Sequence, residues 1–406
     1  MPPKLHHASR PSLEAVQFEP AAGGQSLQCF AIVAPGLEQL ALAEARALGI
    51  SAELEEKGGG LAWAGDVESV LRANVGLRIA SRVLVRLASF QARTFAELER
   101  HARQIGWARI VTPGGSARFR VTSKKSRLYH TDAIAQRLAD GLVRAVTGVQ
   151  VDEATAAGDD EVHAPEDAQL FVVRVHRDHF TVSADSSGDL LHRRGYRQET
   201  AKAPVRETLA AALIAASGWD LVSPLVDPLC GSGTIPIEAA LMARGIAPGA
   251  KRSFAVERWP GVPRTLGESV RMELANGRSP VVPGPMIGSD RDMGAIAAAV
   301  ANAERAGVAG DVALSMRALS AAEFPGEHGW IVTNPPYGVR VGDAGRVRDL
   351  WAQLGHVLGE RARGWRVAIL SPDSALDRQL CIPLRAVAHT SNGGIPVRLM
   401  VGEIGR

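Results

Sequence analysis

One short motif places an amide, two prolines and an aromatic ring at the end of an apolar run: residues 330–333 are followed by Asn334, Pro335, Pro336 and Tyr337. Proline has no backbone N–H, so the strand predicted for the apolar run must end there, and carbonyls of the turn remain able to accept hydrogen bonds. The side-chain carbonyl of Asn334 and a turn carbonyl such as that of Pro335 could bind the hydrogens of an exocyclic base amine. Tyr337 could stack on that base, a contact worth about 1–3 kcal/mol. A plain Pro-Pro turn with an incidental Asn is the alternative.

A glycine-rich segment joins another predicted strand to a helix. Asp227 lies at the end of that strand, and residues 230–234 lead into the helix. Glycines allow a ligand to approach the backbone at the carboxyl end of a strand. A dinucleotide fingerprint would need glycine where Pro236 stands, and the Gly-Lys-Ser/Thr of a P-loop is absent. An acid beside the turn suits an amine-bearing ligand better than a phosphate, and a turn that serves packing alone is the alternative.

A second acid ends the next predicted strand, residues 285–290. In doubly wound folds, a carboxylate at the place of Asp290 accepts hydrogen bonds from ribose hydroxyls. Asp292 is a rival for this role, although it could instead cap the helix predicted from Ala295. The usual spacing of about 20 residues from the glycine turn does not hold, because a segment rich in Pro, Gly and Arg, near residues 242–285, intervenes.

Strands and helices alternate after residue 203, which predicts an α/β domain with a mostly parallel sheet and helices on both faces. Hydrophobic periodicity predicts smaller α+β units upstream. The predicted divisions are a disordered tail, residues 1–26; a first unit, 27–85; a second unit, 86–188; a basic linker, 189–202; and the α/β domain, 203–406.

Basic charge is concentrated in one stretch, although the net charge is only +3. Residues 68–130 hold 13 Lys and Arg against 3 acids, and residues 151–170 hold 7 acids and no Lys or Arg. Such a stretch predicts a nucleic-acid partner, and a solvated helix face is the alternative. The residues predicted to contact RNA are Arg118 and Arg120 on one strand face, Lys124, Lys125 and Arg127 on the following loop, and Arg193, Arg194 and Arg197 in the linker.

Composition excludes several classes of protein. Apolar residues make up 46% and charged residues 22% of the chain, which excludes wholesale disorder. There is no apolar run of about 18–20 residues and no signal-peptide core at the start. Cys29, Cys230 and Cys381 form neither a disulfide framework nor a zinc pair. We expect a cytoplasmic protein with no membrane anchor and no metal.

Several segments occur in an order that resembles the class I S-adenosylmethionine-dependent amino-methyltransferases. More narrowly, the chain resembles the bacterial THUMP-domain RNA guanine-N2 methyltransferases that act on 23S rRNA. The resemblance spans residues 27–406, and the insertion near 242–285 is typical of that family. The similar segments are residues 122–130, 193–197 (Arg-Arg-Gly-Tyr-Arg), 202–204 (Lys-Ala-Pro), 227–234, 246–249 (Ile-Ala-Pro-Gly), 288–290 (Gly-Ser-Asp) and 334–338 (Asn-Pro-Pro-Tyr-Gly).

The resemblance implies a Rossmann-like methyltransferase domain (203–406), a ferredoxin-like domain (27–85) and a THUMP RNA-binding domain (86–188). It also implies methylation of a guanosine N2 amine in structured RNA, with 23S rRNA favoured over tRNA. Many relatives carry a second methyltransferase domain, and because this chain ends at Arg406 we expect one activity. The implied catalytic residues are Asn334, Pro335 and Tyr337. S-adenosylmethionine would be bound by Asp227, Cys230, Gly231, Ser232, Gly233, Thr234, Asp290 and Asn334.

One position departs from the family pattern. Relatives usually carry an acid after the strand that follows Asp290, where it would meet the cofactor's adenine amine, and this chain has Arg317 there. An arginine cannot accept a hydrogen bond. A non-catalytic RNA-binding or assembly factor that has lost cofactor affinity is therefore one alternative. An adenine-N6 methyltransferase is another, because the Asn-Pro-Pro-Tyr motif also occurs in adenine-N6 methyltransferases, and a tRNA guanine-N2 methyltransferase is the third.

Overall fold

A computed structural model of the chain describes residues 26–56, 58–152, 167–198, 205–337 and 344–405. The predicted tail up to residue 25, the Lys202-Ala203-Pro204 segment with the helix start predicted there, and Gly338 lie outside these ranges. The chain forms two compact units. The small unit is built on Leu84–Gly188 and includes Arg258–Val262, and the large unit combines Cys29–Val83, Asp189–Glu257 and Pro263–Arg406.

The elements are numbered in chain order. The strands are β1 Leu27–Ile32, β2 Glu53–Leu54, β3 Gly60–Gly65, β4 Arg82–Gln91, β5 Ser116–Lys124, β6 Gln150–Val151, β7 Gln169–His176, β8 His179–Asp185, β9 Leu225–Asp227, β10 Met286–Asp290, β11 Val312–Met316, β12 Trp330–Thr333, β13 Arg366–Ser371, β14 Leu384–Asn392 and β15 Ile395–Glu403. The helices are α1 Glu38–Ala47, α2 Val67–Gly76, α3 Phe95–Ala102, α4 Thr131–Ala145, α5 Glu207–Ser217, α6 Thr234–Ala243, α7 Arg264–Ala275, α8 Met293–Ala306, α9 Ala344–Arg361 and α10 Ser374–Gln379. Among the described residues, no helix is both long enough and apolar enough to cross a membrane.

The small unit is a sheet with a helical layer. β4 pairs with β8 and β8 with β7 in antiparallel fashion, and β5 lies parallel to both β7 and β6. Alternation along β5 buries Phe119 between neighbours that point the other way. The ring of Trp107 meets the rings of Phe119 and Phe171 edge to face, with centroids 5.9 and 5.0 Å away. These aromatic contacts form the core of the unit.

The large unit contains a seven-stranded sheet in the order β11-β10-β9-β12-β13-β15-β14. The first five strands are parallel, and β15 lies antiparallel to both β13 and β14. The predicted mostly parallel α/β sheet is therefore confirmed. The chain moves outward from β9 to β10 and β11, then returns to β12 on the other side of β9. Ligands of open α/β sheets bind at the carboxyl ends of the strands at such a reversal.

Local sequence signals set several helix boundaries. Asp66 accepts a hydrogen bond from the Ser69 N–H at the start of α2, and Thr94 forms a capping box with Glu97 at the start of α3. Two helices are absent from the predicted elements. α7 lies inside the segment interpreted as an insertion, and α10 is a single short turn after β13. α7 carries Leu266, Val270 and Leu274 at helical spacing, a pattern that the interpretation as an insertion passed over, and α10 is only six residues long.

A buried ionic network fixes the basic linker inside the large unit. The Glu238 carboxylate on α6 is fully buried and lies 3.1 Å from the Arg194 guanidinium and 3.8 Å from that of Arg78. The Tyr196 hydroxyl donates to the same carboxylate at 2.9 Å, and the Arg194 guanidinium donates to the Arg78 carbonyl at 2.8 Å. The linker is thus held in place by two contacts with Glu238 of α6, which also pairs with Arg78, and by one bond to the Arg78 carbonyl.

Replacing Glu238 by Ala should destabilise the protein by about 3–5 kcal/mol, because two buried guanidinium groups would lose their counter-charge. The measurement is urea unfolding followed by circular dichroism. Glu304 is an exposed acid on α8, and Glu304→Ala is the control, with a change within about 0.5 kcal/mol. An unchanged unfolding midpoint for Glu238→Ala would show that the network contributes little to stability.

Candidate active site

Two neighbouring strand ends are joined by one hydrogen bond. Asp227 ends β9 and Thr333 ends β12, and both side chains are buried. The Thr333 hydroxyl donates to the Asp227 Oδ1 atom at 2.7 Å, and the Leu229 N–H donates to the same oxygen at 3.2 Å. The bond fixes the carboxylate at the point where the strand order reverses.

Burial controls the charge of this acid. Removal from water raises the pKa of Asp227 to about 7, and the nearby charge of Asp290 acts in the same direction, whereas the bonds from Thr333 and Leu229 lower it. A buried carboxylate with a raised pKa favours a cationic neighbour, because the cation would stabilise its ionised form.

The glycine turn packs closely on the next helix. Gly231 and Gly233 have positive φ values of 52° and 82°, which L-residues with side chains seldom adopt. A Cβ on Gly233 would lie 2.9 Å from the Ala299 Cβ on α8. The buried Asn302 side chain, also on α8, donates to the Ser232 carbonyl at 3.1 Å. The turn therefore lies directly against α8, and its position is fixed by these contacts.

Cys230 and Thr234 flank this turn. The Cys230 N–H donates to the Ser289 carbonyl of β10 at 2.9 Å, and burial raises the pKa of the Cys230 thiol well above its usual range. The thiol therefore stays protonated and is a poor nucleophile. Thr234 is buried and begins α6.

The two acids after β10 have different roles. Asp290 accepts hydrogen bonds from the Gly231 and Asp292 N–H groups, each at 3.0 Å. Asp292 accepts from the N–H groups of Gly294 and Ala295 at 2.8 and 3.2 Å, and so caps α8. The capping interpretation of Asp292 is confirmed. Asp290 is the acid that faces the glycine turn, and each of its oxygens keeps lone pairs for a ligand.

The Asn-Pro-Pro-Tyr motif ends β12 as predicted. The Asn334 Oδ1 atom is buried, and it has no hydrogen-bond partner among the described residues. The Pro336 carbonyl accepts from the Trp351 indole N–H at 3.0 Å. The sequence predicts that the carbonyls of this turn remain available to accept hydrogen bonds, and this is wrong for Pro336. Within the described residues, the Asn334 Oδ1 atom is the acceptor of the motif that has no donor.

Tyr337 is held from two sides. Its ring packs against the core cluster that contains Trp351 and Trp365. Its hydroxyl accepts a hydrogen bond from the Asn392 side-chain amide at 2.6 Å, and burial raises the pKa of the Tyr337 phenol. Asn392 lies at the end of β14. It is not among the site residues predicted from the sequence, because no motif links it to Tyr337, which is 55 positions away.

Arg317 stands where relatives carry an acid, and both its backbone and its side chain have partners nearby in the sequence or on the neighbouring strand. Its N–H donates to the Asp290 carbonyl at 2.8 Å, and its guanidinium forms an ion pair with Glu323. The side chain therefore has a partner of its own on the loop after β11.

The basic residues of the small unit keep the predicted arrangement. Arg118 and Arg120 share the half-buried face of β5, opposite Phe119. Lys124, Lys125 and Arg127 are exposed where the strand ends. The set of RNA-contacting residues predicted from the sequence lacks Tyr129, which is 65% exposed and contacts the His130 ring at a tilt of 38°, with centroids 4.1 Å apart. Tyr129 could have been included from the sequence, because it is an aromatic residue that closely follows the basic run.

The linker prediction needs correction. The side chain of Arg194 is only 1% exposed and is paired with Glu238. Arg197 is 14% exposed, lies 3.1 Å from the buried Glu207 carboxylate and donates to the Val205 carbonyl at 2.8 Å. Both guanidinium groups serve the interior, so neither is available to RNA. Arg193 is 38% exposed and lies 3.6 Å from Asp189.

Two family models match the chain. One, described as the RMKL-like methyltransferase domain, matches residues 194–399, and one described as the RlmL ferredoxin-like domain matches residues 28–84. A candidate RNA methyltransferase of Synechocystis sp. is 33% identical over 376 residues, which cover 92% of this chain and 96% of that protein.

Longer relatives match in part. The ribosomal RNA large subunit methyltransferase K/L of Marinobacter nauticus is 33% identical over 93% of this chain. The chain spans 53% of the length of that protein. Among solved structures, SMU.472, a candidate methyltransferase complexed with SAH (S-adenosylhomocysteine), is 29% identical with a TM-score of 0.82. The match covers 94% of this chain and 99% of SMU.472.

Replacing Asp227 by Asn should change how stability depends on pH. The pKa of Asp227 is about 7 in the folded state against an ordinary value of 3.8, so protonation stabilises the folded state. This contribution is complete below about pH 3.8 and is lost as the pH rises through about 7, at about 1.4 kcal/mol per pH unit between the two values.

Urea unfolding over this pH range measures the effect. The free energy of unfolding of the parent minus that of Asp227→Asn should fall with rising pH and level off above about pH 7. A difference that is constant across the range would contradict the raised pKa.

Proposed function

Because the chain belongs to the RMKL-like family of S-adenosylmethionine-dependent RNA methyltransferases, we propose that it methylates the N2 amine of a guanosine in structured RNA, with 23S rRNA as the substrate. The observation that carries this proposal is the Asn334 Oδ1 atom, which is buried and lacks a partner within the described ranges. A buried acceptor of this kind is costly unless a ligand supplies the donor.

An exocyclic amine matches this acceptor. Its nitrogen lone pair is delocalised into the base, which makes it a poor nucleophile. Hydrogen bonds from its two hydrogens to Asn334 Oδ1 and the Pro335 carbonyl would favour a pyramidal nitrogen with a localised lone pair. The Pro336 carbonyl is engaged by Trp351, which leaves Pro335 as the second acceptor.

Tyr337 positions the base in this proposal. The bond from Asn392 and the packing on the core fix the ring beside Asn334. A ring held in this way loses little freedom when a base stacks on it. The base would have to leave the RNA stack to reach the site.

S-adenosylmethionine supplies an electrophilic methyl group when bound. Asp227 would hold its amine, which agrees with the raised pKa of that carboxyl, and Asp290 would accept from its ribose hydroxyls. Cys230, Gly231, Ser232, Gly233 and Thr234 would line the backbone cradle between the two acids. Catalysis would come mainly from holding the two reactants in line.

RNA binding is assigned to the small unit, with residues 86–188 as a THUMP domain. The exposed Lys124, Lys125 and Arg127 lie beside the exposed Tyr129, and Arg118 and Arg120 line the strand that leads to them. A surface that binds single-stranded nucleic acid usually has two parts. Basic groups lie along the phosphate backbone, and an aromatic side chain stacks on a base. The name of the Marinobacter relative supports large-subunit rRNA over tRNA.

The direct test is methylation of an unmodified 23S rRNA transcript, followed by mass spectrometry of the nucleosides. N2-methylguanosine is the expected product. N6-methyladenosine would replace the guanine assignment with the adenine alternative. Failure to bind S-adenosylmethionine in a calorimeter, with RNA binding retained, would favour the non-catalytic factor.

Asn334→Ala should lower turnover by about 10²–10³-fold, because the acceptor acts on the amine mainly in the transition state. Although the resemblance also places Asn334 at the cofactor, Asp227 and Asp290 are proposed to make the main polar contacts with it, so cofactor affinity in the calorimeter should stay within about twofold of the parent. Asn276 is an exposed residue at the end of α7, and Asn276→Ala is the matched control. Near-parental turnover in Asn334→Ala would remove this residue from the mechanism.

Replacing Lys124, Lys125 and Arg127 together by Gln should flatten the plot of log RNA affinity against log salt by about two units, since each lost phosphate contact removes about 0.7–0.9. S-adenosylmethionine binding should not change. The control is a triple Gln variant of equal charge at three exposed arginines of the large unit, Arg264, Arg278 and Arg363. Equal slopes for the two triple variants would place RNA recognition elsewhere.

A further inference from the structure

The glycine turn (residues 230–234) is held against α8 by a side chain that has no role in the proposed function. Asn302 is fully buried on α8, and its side-chain amide donates to the Ser232 carbonyl at 3.1 Å. Ala299 lies three residues earlier on the same side of the helix, and a Cβ on Gly233 would lie 2.9 Å from the Ala299 Cβ. Asn302 therefore fixes one peptide of the turn where the turn and the helix are in direct contact.

The amide of an asparagine can bind in two orientations that differ by a half-turn, with its oxygen and its nitrogen exchanged. In one orientation the Asn302 NH2 group faces the Ser232 carbonyl. In the other orientation two carbonyl oxygens would face each other, and a repulsion would replace the hydrogen bond to the turn. The group that binds the opposite end of the amide therefore decides whether this peptide of the turn is held.

Arg305, also on α8, binds that opposite end. Its guanidinium donates to the Asn302 Oδ1 atom at 2.5 Å. A guanidinium has donors and no acceptor, so it can bind the oxygen of the amide but not the NH2 group. The contact therefore selects the orientation in which Asn302 donates to the Ser232 carbonyl.

The Arg305 guanidinium is itself held by the linker. Its Nε atom donates to the Tyr196 carbonyl at 2.8 Å, and the Tyr196 hydroxyl donates to the buried Glu238 carboxylate at 2.9 Å. Glu238 lies on α6, the helix that begins at the last residue of the glycine turn. The contacts thus form a closed ring, which runs from the turn through α8 and the linker to α6 and back to the turn.

We propose that Arg305 and Asn302 are positioning residues for S-adenosylmethionine: Arg305 orients Asn302, and Asn302 holds the glycine turn in the conformation that binds the cofactor. The inference rests on one part of the proposed function, the assignment of the cofactor to this turn. A turn that is fixed before binding loses little freedom when the cofactor binds, so its affinity is higher than that of a loose turn. The alternative is that Arg305 only stabilises the last turn of α8, where a cation offsets the helix dipole.

A double-mutant cycle in S-adenosylmethionine affinity, measured by calorimetry on the full chain without RNA, separates these two roles. Asn302→Ala and Arg305→Met should each raise the Kd about three- to tenfold, because each releases the same peptide of the turn. Since Arg305 acts through Asn302, the Kd of the double variant should stay within about twofold of that of Asn302→Ala. Effects that multiply in the double variant would overturn the proposal, and so would a parental Kd in either single variant.

Asn302→Asp tests the same bond at nearly constant shape. A carboxylate would keep the contact with Arg305, but it has no N–H to donate to the Ser232 carbonyl. The Kd at neutral pH should therefore rise at least as much as in Asn302→Ala, and a parental Kd would contradict the proposal. Asn302→Asp and Arg305→Met test the proposal on their own if Asn302→Ala does not fold.

Two matched controls lose polar contacts of the large unit that do not involve the glycine turn. Asn74 is a buried amide on α2 and donates to the Val70 carbonyl at 2.9 Å. Arg244 donates to the Gly307 carbonyl at 3.1 Å, at the C-terminal end of α8. Asn74→Ala and Arg244→Met should lower the stability of the cofactor-free chain in urea and leave the Kd within about twofold. Losses of affinity as large as those of the test variants would show a general effect of destabilisation and overturn the proposal.

The same measurements separate this proposal from the proposed function. A parent chain that binds S-adenosylmethionine, with the expected cycle, supports the positioning role even if the 23S rRNA transcript is not methylated. A parent chain that methylates the transcript, with a parental Kd in every variant, overturns the positioning role and leaves the proposed function standing. A parent chain that does not bind S-adenosylmethionine overturns both.

Discussion

The hydrogen bond between Thr333 and Asp227 is the contact on which the site depends. It joins the ends of β9 and β12, the two strands between which the sheet order reverses. The bond is buried, so it is not exchanged for water and it keeps the carboxylate in one position. Asn334 follows Thr333 directly, so the same bond that fixes the acid also fixes the acceptor that lacks a partner. In the proposed function, the residue that would hold the cofactor and the residue that would accept from the target amine thus share one support.

The parts of this site that could be predicted from the sequence are those set by local pattern. Asp227, Asp290 and Asn334 each follow a short apolar strand, and parallel strands bring their ends to one edge. The helix caps at Asp66 and Thr94 depend on neighbours three residues away. Alternation along β5 placed Arg118 and Arg120 on one face. In all of these cases, the decisive contacts are close in sequence or follow from strand order alone.

The parts that could not be predicted depend on distant partners. The linker arginines have the composition of an RNA contact, yet Arg194 is buried against Glu238, 44 positions away, because the fold brings α6 beneath the linker. Trp351 engages the Pro336 carbonyl, and Asn392 engages the Tyr337 hydroxyl. No spacing rule indicates either pair. α7 is a different case: Leu266, Val270 and Leu274 have helical spacing, so this helix could have been predicted from the sequence.

The antiparallel placement of β15 between β13 and β14 has a consequence for synthesis of the chain. β13 emerges from the ribosome before β15, so one edge of β13 stays unpaired until residue 403 has been added. An exposed edge strand can pair with another chain. A nascent or truncated product that stops within the hairpin would contain β9 to β13 and yet present an unpaired edge of β13. Such products would aggregate or be degraded rather than compete with chains that contain the whole hairpin.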